Sequence, residues 1–270
     1  MKLTYFGTSA AEGFPAVFCN CKFCNEARRL GGKNIRTRSQ SMVNDDLLID
    51  FPQDSYSHFL SNGIEAHRIK LLLFTHAHQD HQYIDDLKLR YGAFAHDMEN
   101  DCLKIVAGGK AYENLTSVSI AHTEILKISP YETIGEAGYR ITALPARHAP
   151  NSGALIYIIE GEKSILYAHD TGFLYEETID FIRDKGYVFD LVSLDCTNVD
   201  IPISDEGNHM GIPNNIRLVG KLRECGAITD KTKIIINHFS HNGAPLHEQL
   251  CERVRKEGYT VAYDGMSVTV

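Results

Sequence analysis

The sequence lacks the features of a membrane, secreted or nucleic-acid-binding protein. Its longest apolar run, residues 154–159, is far shorter than the ~20 residues that a membrane-spanning helix needs. The N-terminus has no apolar segment of a secretory signal. No basic run occurs, and 27 Lys and Arg against 35 Asp and Glu give a net charge of -8. Because binding to a phosphate backbone needs a cationic surface, we expect a cytoplasmic protein that binds neither membranes nor nucleic acid.

The sequence also has no linker rich in Pro, Gly or Ser, no low-complexity tract and no internal repeat. Its 270 residues are enough to bury a core without cross-links, and we predict one domain over residues 1–270. The seven Cys are an odd number. In an apparently cytosolic chain this favours metal ligation or buried thiols over a disulfide framework.

Short apolar or β-branched segments are mixed with helical segments along the whole chain, which indicates an α/β protein. The helical segments are residues 176–185, 213–223 and 246–254. The predicted strands are residues 2–7, 41–50, 69–74, 139–144, 154–160, 164–167, 188–194, 233–236 and 260–263.

Four potential metal ligands follow the apolar segment 69–74 within six residues: His76, His78, Asp80 and His81. A loop at a strand end lets such side chains turn towards one point. Imidazole and carboxylate together suit zinc, manganese or iron. The alternative is a polar loop whose histidines only form hydrogen bonds. That alternative is favoured for a lone histidine, but this spacing favours a metal site.

Other predicted strands also end in His or Asp, as expected if strand ends surround one pocket. His148 follows the strand at 139–144, Asp170 follows the strand at 164–167, and His238 follows the strand at 233–236. Asp50 ends another apolar segment. We expect it to orient a metal ligand through a hydrogen bond.

These motifs together resemble the metallo-β-lactamase superfamily, whose hallmark is His-x-His-x-Asp-His followed by a single His, an Asp and a final His. The resemblance spans nearly the whole chain and implies a four-layer αββα sandwich with the site at one edge of its two sheets. It implies two divalent cations, zinc or manganese, that share a water or hydroxide. The implied ligands are His76, His78 and His148 for one metal, Asp80, His81 and His238 for the other, and Asp170 bridging both.

A second cluster holds three thiols within six residues: Cys19, Cys21 and Cys24. A structural zinc needs four ligands, and three Cys with one His is a common set. His241 is the candidate for the fourth, because His238 would place it nearby. The alternatives are three free thiols, or one disulfide with a spare thiol. A Cys-x-Cys disulfide would be strained.

The second cluster narrows the resemblance to the phosphoribosyl cyclic phosphate phosphodiesterases of the carbon–phosphorus lyase pathway. That family implies a structural zinc on the three cysteines and His241. It implies His209 as the general acid, and we also assign Asp80 as catalytic. The substrate would be a small cyclic phosphodiester such as a phosphoribosyl 1,2-cyclic phosphate, and relatives suggest a homodimer. The matching segments are residues 7–8, 13–16, 19–24, 237–241 and 264–266.

The sequence is also compatible with other functions, because residues 197–207 show little similarity to that family. The same metals would serve a hydrolase of lactones, esters or thioesters. A pyrroloquinoline quinone biosynthesis-like protein shares a similar cysteine cluster. A transfer-RNA processing nuclease and a binding protein without turnover are disfavoured, since the chain lacks a basic arm and its ligand set is complete. Arg36, Arg38 and Arg147 could meet a second phosphate, although surface charge is the simpler interpretation.

Overall fold

A computed structural model describes residues 1–270 as two β-sheets packed face to face, with helices on the outer face of each. The α-helices are α1 (Lys22–Leu30), α2 (Ser55–Asn62), α3 (Ile84–Leu87), α4 (Gly109–Thr116), α5 (Glu176–Asp184), α6 (Ile212–Glu224) and α7 (His247–Arg253). The strands are β1 (Lys2–Gly7), β2 (Gln40–Val43), β3 (Leu47–Ile49), β4 (Leu71–Leu73), β5 (Leu103–Ala107), β6 (Thr123–Lys127), β7 (Thr133–Glu136), β8 (Tyr139–Pro145), β9 (Leu155–Glu160), β10 (Ser164–Ala168), β11 (Leu191–Asp195), β12 (Lys233–Asn237), β13 (Thr260–Val261) and β14 (Met266–Thr269).

Each sheet has seven strands, and its central strands are buried on both faces. The first sheet has the order β14-β1-β2-β3-β4-β5-β6 and the second has the order β13-β12-β11-β10-β9-β8-β7. Successive side chains of a strand point to opposite faces. On β4, Leu71 and Leu73 therefore fill the core between the sheets, while Leu72 packs under the helices of the first sheet. On β12, Ile235 faces the shared core and Ile234 faces the helices of the second sheet. The predicted αββα sandwich is confirmed.

One predicted strand is wrong. Residues 41–50 do not form a continuous strand but two antiparallel strands, β2 and β3, joined by a tight turn at residues 44–46. Asn44 adopts a left-handed conformation with φ 51°, which asparagine tolerates better than most residues. The prediction also missed β5, β6, β7 and β14.

The topology brings several strand ends to one edge of the sandwich. Strands β3 and β4 run parallel in the first sheet, and β10, β11 and β12 run parallel in the second. Three residues within two positions of the ends of these strands have left-handed backbones: Asp50 (φ 62°), Asp170 (φ 53°) and His238 (φ 62°). Such strain in non-glycine residues is concentrated at functional sites. No helix in the structure combines the length and hydropathy needed to cross a membrane.

Candidate metal centre

Three overlapping groups of side chains that could ligate a metal lie at this edge, and all of them contain Asp170. One combines Asp170 and His238 with Asp195 and His209, and the other two correspond to the ligands predicted from the sequence. Within each group, one ligand atom from every residue lies within 4.8 Å of the others. The structure therefore brings together all the side chains that the sequence predicts for the two-metal site. These two groups are His76, His78, His148 and Asp170, and Asp80, His81, Asp170 and His238.

Asp170 follows β10 and stands between the two groups. Its Oδ2 lies 3.1 Å from Nε2 of His76 and 3.1 Å from Nε2 of His81, and its Oδ1 lies 3.2 Å from Nδ1 of His148. Burial by itself would raise the pKa of this carboxyl, but the surrounding histidines hold the pKa of Asp170 well below its usual range. Asp170 is therefore an anion in the position of a carboxylate shared by two cations.

The residues fit divalent cations. Three buried atoms at the centre make no well-oriented hydrogen bond: Nε2 of His81, Nε2 of His238 and Oδ1 of Asp170. Buried polar atoms almost always have a partner, so orphans that face one another indicate a place for a bound group. Imidazole nitrogens and carboxylate oxygens are ligands that zinc, manganese and iron accept.

Hydrogen bonds from behind the centre orient two of the imidazoles. Oδ2 of Asp50 lies 2.7 Å from Nδ1 of His81, the contact expected from the sequence. On the other side, the hydroxyl of Thr197 lies 2.8 Å from Nδ1 of His238. Contacts of this kind fix a ring so that its other nitrogen faces the metal.

His209, the predicted general acid, lies against the same centre. Its Nδ1 is 3.2 Å from Oδ1 of Asp170 and 3.2 Å from Oδ2 of Asp195. Burial lowers the pKa of His209, but the two carboxylates outweigh it and raise that pKa to about 9. Because Nδ1 is engaged with these carboxylates, Nε2 is the ring nitrogen left for a substrate.

The sequence analysis missed Asp195 and Thr197. Asp195 is fully buried at the end of β11, and its Oδ1 accepts hydrogen bonds from the backbone N–H groups of Thr197 at 3.0 Å and Met210 at 2.9 Å. A signal was present, because Asp195 ends an apolar strand just as Asp170 follows one. Its partner His209, however, lies in a loop without a periodic pattern.

His169 and Cys196 also lie near these strand ends, but their side chains pack in the protein core. Nε2 of His169 lies 2.6 Å from the hydroxyl of Ser193, and its ring centroid lies 3.9 Å from that of Tyr167 in the core. Cys196 is buried in an apolar cluster with side chains that include Leu250. Neither residue belongs to the two metal-ligating groups.

A separate four-ligand group forms beside the centre. Sγ of Cys19, Cys21 and Cys24 and a ring nitrogen of His241 lie within 4.8 Å of one another. The thiol of Cys21 caps α1 by accepting a hydrogen bond from the backbone N–H of Cys24 at 3.4 Å, and this bond is the main reason that the pKa of Cys21 falls to about 6. The thiolate is the form of cysteine that binds metals. Burial raises the pKa of Cys24 to about 11, so the fit to a tetrahedral zinc rests on the donor set, three thiols and one imidazole.

A cavity of about 390 Å³ opens over the side chains grouped around Asp170. This volume suits a small molecule. Polar side chains provide most of its lining, including Glu12, His78, Asp80, His148 and His209.

A comparison of the sequence with models of protein families identifies the family to which the chain belongs. The model of the β-lactamase superfamily domain matches residues 48–236. The chain belongs to the metallo-β-lactamase superfamily. It is accordingly a metal-dependent hydrolase. A search of curated protein sequences finds no match.

Several solved structures share the fold over the full chain. A diphosphatase of the PhnP family superposes with a TM-score of 0.75 and 21% identity, covering 100% of this chain and 97% of its own. The metallo-β-lactamase fold protein YhfI from Bacillus subtilis gives 0.73 and 19%, covering 99% and 98%. Zinc-bound PqqB from Methylobacterium extorquens gives 0.70 and 17%, covering 100% of both chains. At these identities the likeness establishes the fold.

Proposed function

We propose that this hydrolase is a phosphodiesterase that cleaves a small cyclic phosphodiester, such as a phosphoribosyl 1,2-cyclic phosphate. The observation that carries the proposal is the position of His209. Its imidazole lines the cavity over the metal centre and is held from behind by the buried carboxylate of Asp195. Ester cleavage at phosphorus expels an alkoxide, and a proton donor at that place assists its departure.

The ligands proposed for the active-site cations are the two groups that share Asp170, with zinc or manganese as the metals. Bound divalent cations supply Lewis acidity and lower the pKa of water, so that a nucleophile is available at neutral pH. The anionic side chains of Asp80 and Asp170 hold the cations, and Asp80 is assigned to the catalytic centre as well. His209 donates a proton from Nε2 to the leaving oxygen, while Asp195 keeps Nδ1 engaged.

The proposal also assigns a structural zinc to the group formed by Cys19, Cys21, Cys24 and His241. The three thiols lie on the N-terminal segment, and His241 lies in the loop after β12. Metal at this place would tie the N-terminal segment to the loop that begins with His238. It would therefore stabilise one wall of the active site without touching the substrate.

Two comparisons support phosphorus rather than carbon as the site of attack. The motifs in residues 19–24 and 237–241 resemble those of phosphoribosyl cyclic phosphate phosphodiesterases. A structural neighbour over the full chain is described as a diphosphatase of the PhnP family. The substrate panel should therefore include a diphosphate beside the phosphodiester.

The test compares bis(p-nitrophenyl) phosphate, an alkyl diphosphate, a lactone and a thioester, each with added Mn²⁺ or Zn²⁺. We expect the phosphodiester to be cleaved preferentially and the activity to disappear in Asp170→Ala. His209→Ala should lower turnover of an alkyl phosphodiester by about 10²–10⁴-fold with unchanged metal content. His122→Ala is the matched control, because His122 is an exposed histidine paired with Asp101. Cleavage of the lactone or thioester alone would overturn the proposed substrate class.

A further inference from the structure

A cavity of about 460 Å³ lies on the outer face of the first sheet, and it shares no lining residue with the cavity over Asp170. Its floor is formed by leucines of three neighbouring strands, Leu48, Leu72 and Leu103. Phe51 and Phe59 also line it, and their ring centroids lie 5.9 Å apart. Its volume and its mainly apolar lining are typical of a site for a small molecule.

The cavity exists because the chain covers this part of the sheet incompletely. Helix α3 has only four residues, and the following segment, residues 88–98, contains a single 3₁₀ turn, Gly92–Phe94. Leu89 and Phe94 of this segment line the cavity, yet they are 47% and 71% exposed. Exposed apolar side chains around an apolar cavity indicate a place where another molecule binds.

Arg90 lines this cavity and has no carboxylate paired with it. Burial lowers the pKa of its guanidinium, and the acidic groups of Cys102 and Asp101 offset this effect only in part. Nη2 of Arg90 donates to the backbone oxygens of Asn100 at 3.0 Å and His122 at 3.4 Å, whereas Nε is buried without a partner. Asp101 pairs with His122 instead, at 2.9 Å. Because partly buried charges are normally paired, the guanidinium is available to an anionic ligand.

The other polar side chains around the cavity do not neutralise Arg90. Asp86 and Asp97 line the cavity as well, but neither contributes to the pKa of Arg90. His67 is a further lining residue, and its Nδ1 is buried without a partner. The cavity therefore combines an apolar interior with one unpaired cation and a second unpartnered nitrogen.

We propose that this cavity is a second binding site, whose ligand is a small amphipathic carboxylate with an alkyl chain of the medium-chain fatty-acid type. The chain lies against Leu48, Phe51 and Phe59, and the carboxylate pairs with Arg90. A carboxylate matches the planar fork of a guanidinium and can accept two hydrogen bonds from it. The site is separate from the metal centre, so the inference goes beyond the proposed phosphodiesterase and does not depend on it.

The test measures binding of decanoate, octanoate and 1-decanol to the metal-loaded protein by titration calorimetry. Decanoate should bind one molecule per chain, about tenfold more tightly than octanoate, because each buried methylene contributes about fourfold in affinity.

The role of the charge is isolated by the ratio of Kd for decanoate to Kd for 1-decanol. Arg90→Gln should raise this ratio about tenfold, the effect of one charge-assisted hydrogen bond. Asp86→Asn should lower it about two- to fivefold, because it removes a like charge from the cavity. Arg68→Gln is the matched control, since Arg68 pairs with Glu65 and Glu99 and does not line this cavity. It should leave the ratio unchanged.

The role of the apolar lining is tested with Phe94→Ala, which should weaken binding of decanoate and 1-decanol alike, by about fivefold. Tyr56→Ala is its control, because Tyr56 is an exposed aromatic residue on α2 that does not line the cavity. It should leave both affinities unchanged.

Three outcomes would overturn the proposal. The first is that decanoate does not bind to the wild type. The second is a ratio that does not respond to Arg90→Gln, as expected if the carboxylate binds a metal in the active site instead. The third concerns a second copy of the chain: a dimer in sedimentation equilibrium that Phe94→Ala converts to monomer, without decanoate binding, would assign this face to subunit contact. None of these measurements needs turnover, so their results are independent of the phosphodiesterase assay.

Discussion

Replacement of Asp195 by Asn tests whether its carboxylate positions His209 as a proton donor. Asp195 is fully buried, and its two oxygens have different partners. Oδ1 accepts from the backbone N–H groups of Thr197 and Met210, at 3.0 and 2.9 Å. Oδ2 accepts from the hydroxyl of Thr197 at 3.0 Å and lies 3.2 Å from Nδ1 of His209.

The contacts of Asp195 determine the expected magnitude. In Asp195→Asn, the amide oxygen can retain the two backbone hydrogen bonds. The amide nitrogen replaces Oδ2, and because it is a donor it cannot accept hydrogen bonds from Thr197 and His209. We therefore expect a modest loss of stability, about 1–2 kcal/mol for the hydrogen bonds disturbed. His209 loses the anion that holds Nδ1, and the lost proton donation should lower kcat for an alkyl phosphodiester by about 10²-fold.

The assay uses the dependence of the rate on the leaving group. A p-nitrophenolate leaves without a proton, so kcat for the aryl ester should fall by less than about fivefold in Asp195→Asn, whereas kcat for the alkyl ester falls far more. Metal content is measured on the same samples, because Asp195 also lies 3.4 Å from Nδ1 of His238. Equal falls on both esters at full metal content would refute the positioning role.

Three further predictions concern the structural metal, a buried histidine and one glycine. Cys21→Ser should remove one equivalent of zinc and lower Tm by about 5–10 °C, because metal binding at such sites stabilises the fold. Burial lowers the pKa of His58 to about 4. Below about pH 6.5, His58 therefore binds a proton in the unfolded chain but stays neutral in the folded protein until the pH approaches 4. His58 should therefore contribute about 2 kcal/mol to the change in stability between pH 7.5 and pH 5, measured by urea unfolding as the difference between the wild type and His58→Gln. Gly172→Ala should impair catalysis, because a Cβ there would meet the backbone oxygen of Gly207 at 1.8 Å and displace the loop that carries His209.

Each of these predictions has its own control. Zinc retained at full stoichiometry in Cys21→Ser would contradict the four-ligand assignment. His58→Gln should flatten the dependence of stability on pH, and an unchanged slope would assign the effect to other groups. Gly220→Ala is matched to Gly172→Ala, because Gly220 lies in α6 with open space around its Cβ position. It should stabilise the protein by about 0.5–1 kcal/mol and leave turnover unchanged.

The strands that carry the metal ligands could be predicted because they are buried on both faces. Strands β4, β10 and β12 are covered by helices on one face and by the opposite sheet on the second face. Their sequences are therefore nearly continuous apolar runs. A histidine or aspartate at the end of such a run stands out. Some of the elements missed have weaker patterns: β7 is half exposed and contains a glycine, and α1 is dominated by polar and charged residues. Strand β5 is as apolar as the strands that were predicted, but no histidine or aspartate marks its end.

The loop between β11 and α6 could not be predicted, because distant groups fix its conformation. The hydroxyl oxygen of Thr197 lies 2.8 Å from the backbone oxygen of His238, and the backbone N–H of Met210 donates to Asp195. These two contacts join residues 41 and 15 positions apart. No local periodicity encodes them.

The strand ends and the loop between β11 and α6 contribute differently to substrate choice. The strand ends provide the metal ligands, and they would serve any ester that needs an activated water. The loop between β11 and α6 carries His209, the proposed proton donor to the leaving group. Changes confined to this loop can therefore alter which ester is cleaved while the side chains around Asp170 stay intact. Substitutions at His209 should change the preference between alkyl and aryl leaving groups at constant metal content, whereas substitutions at Asp170 should abolish metal binding and turnover together.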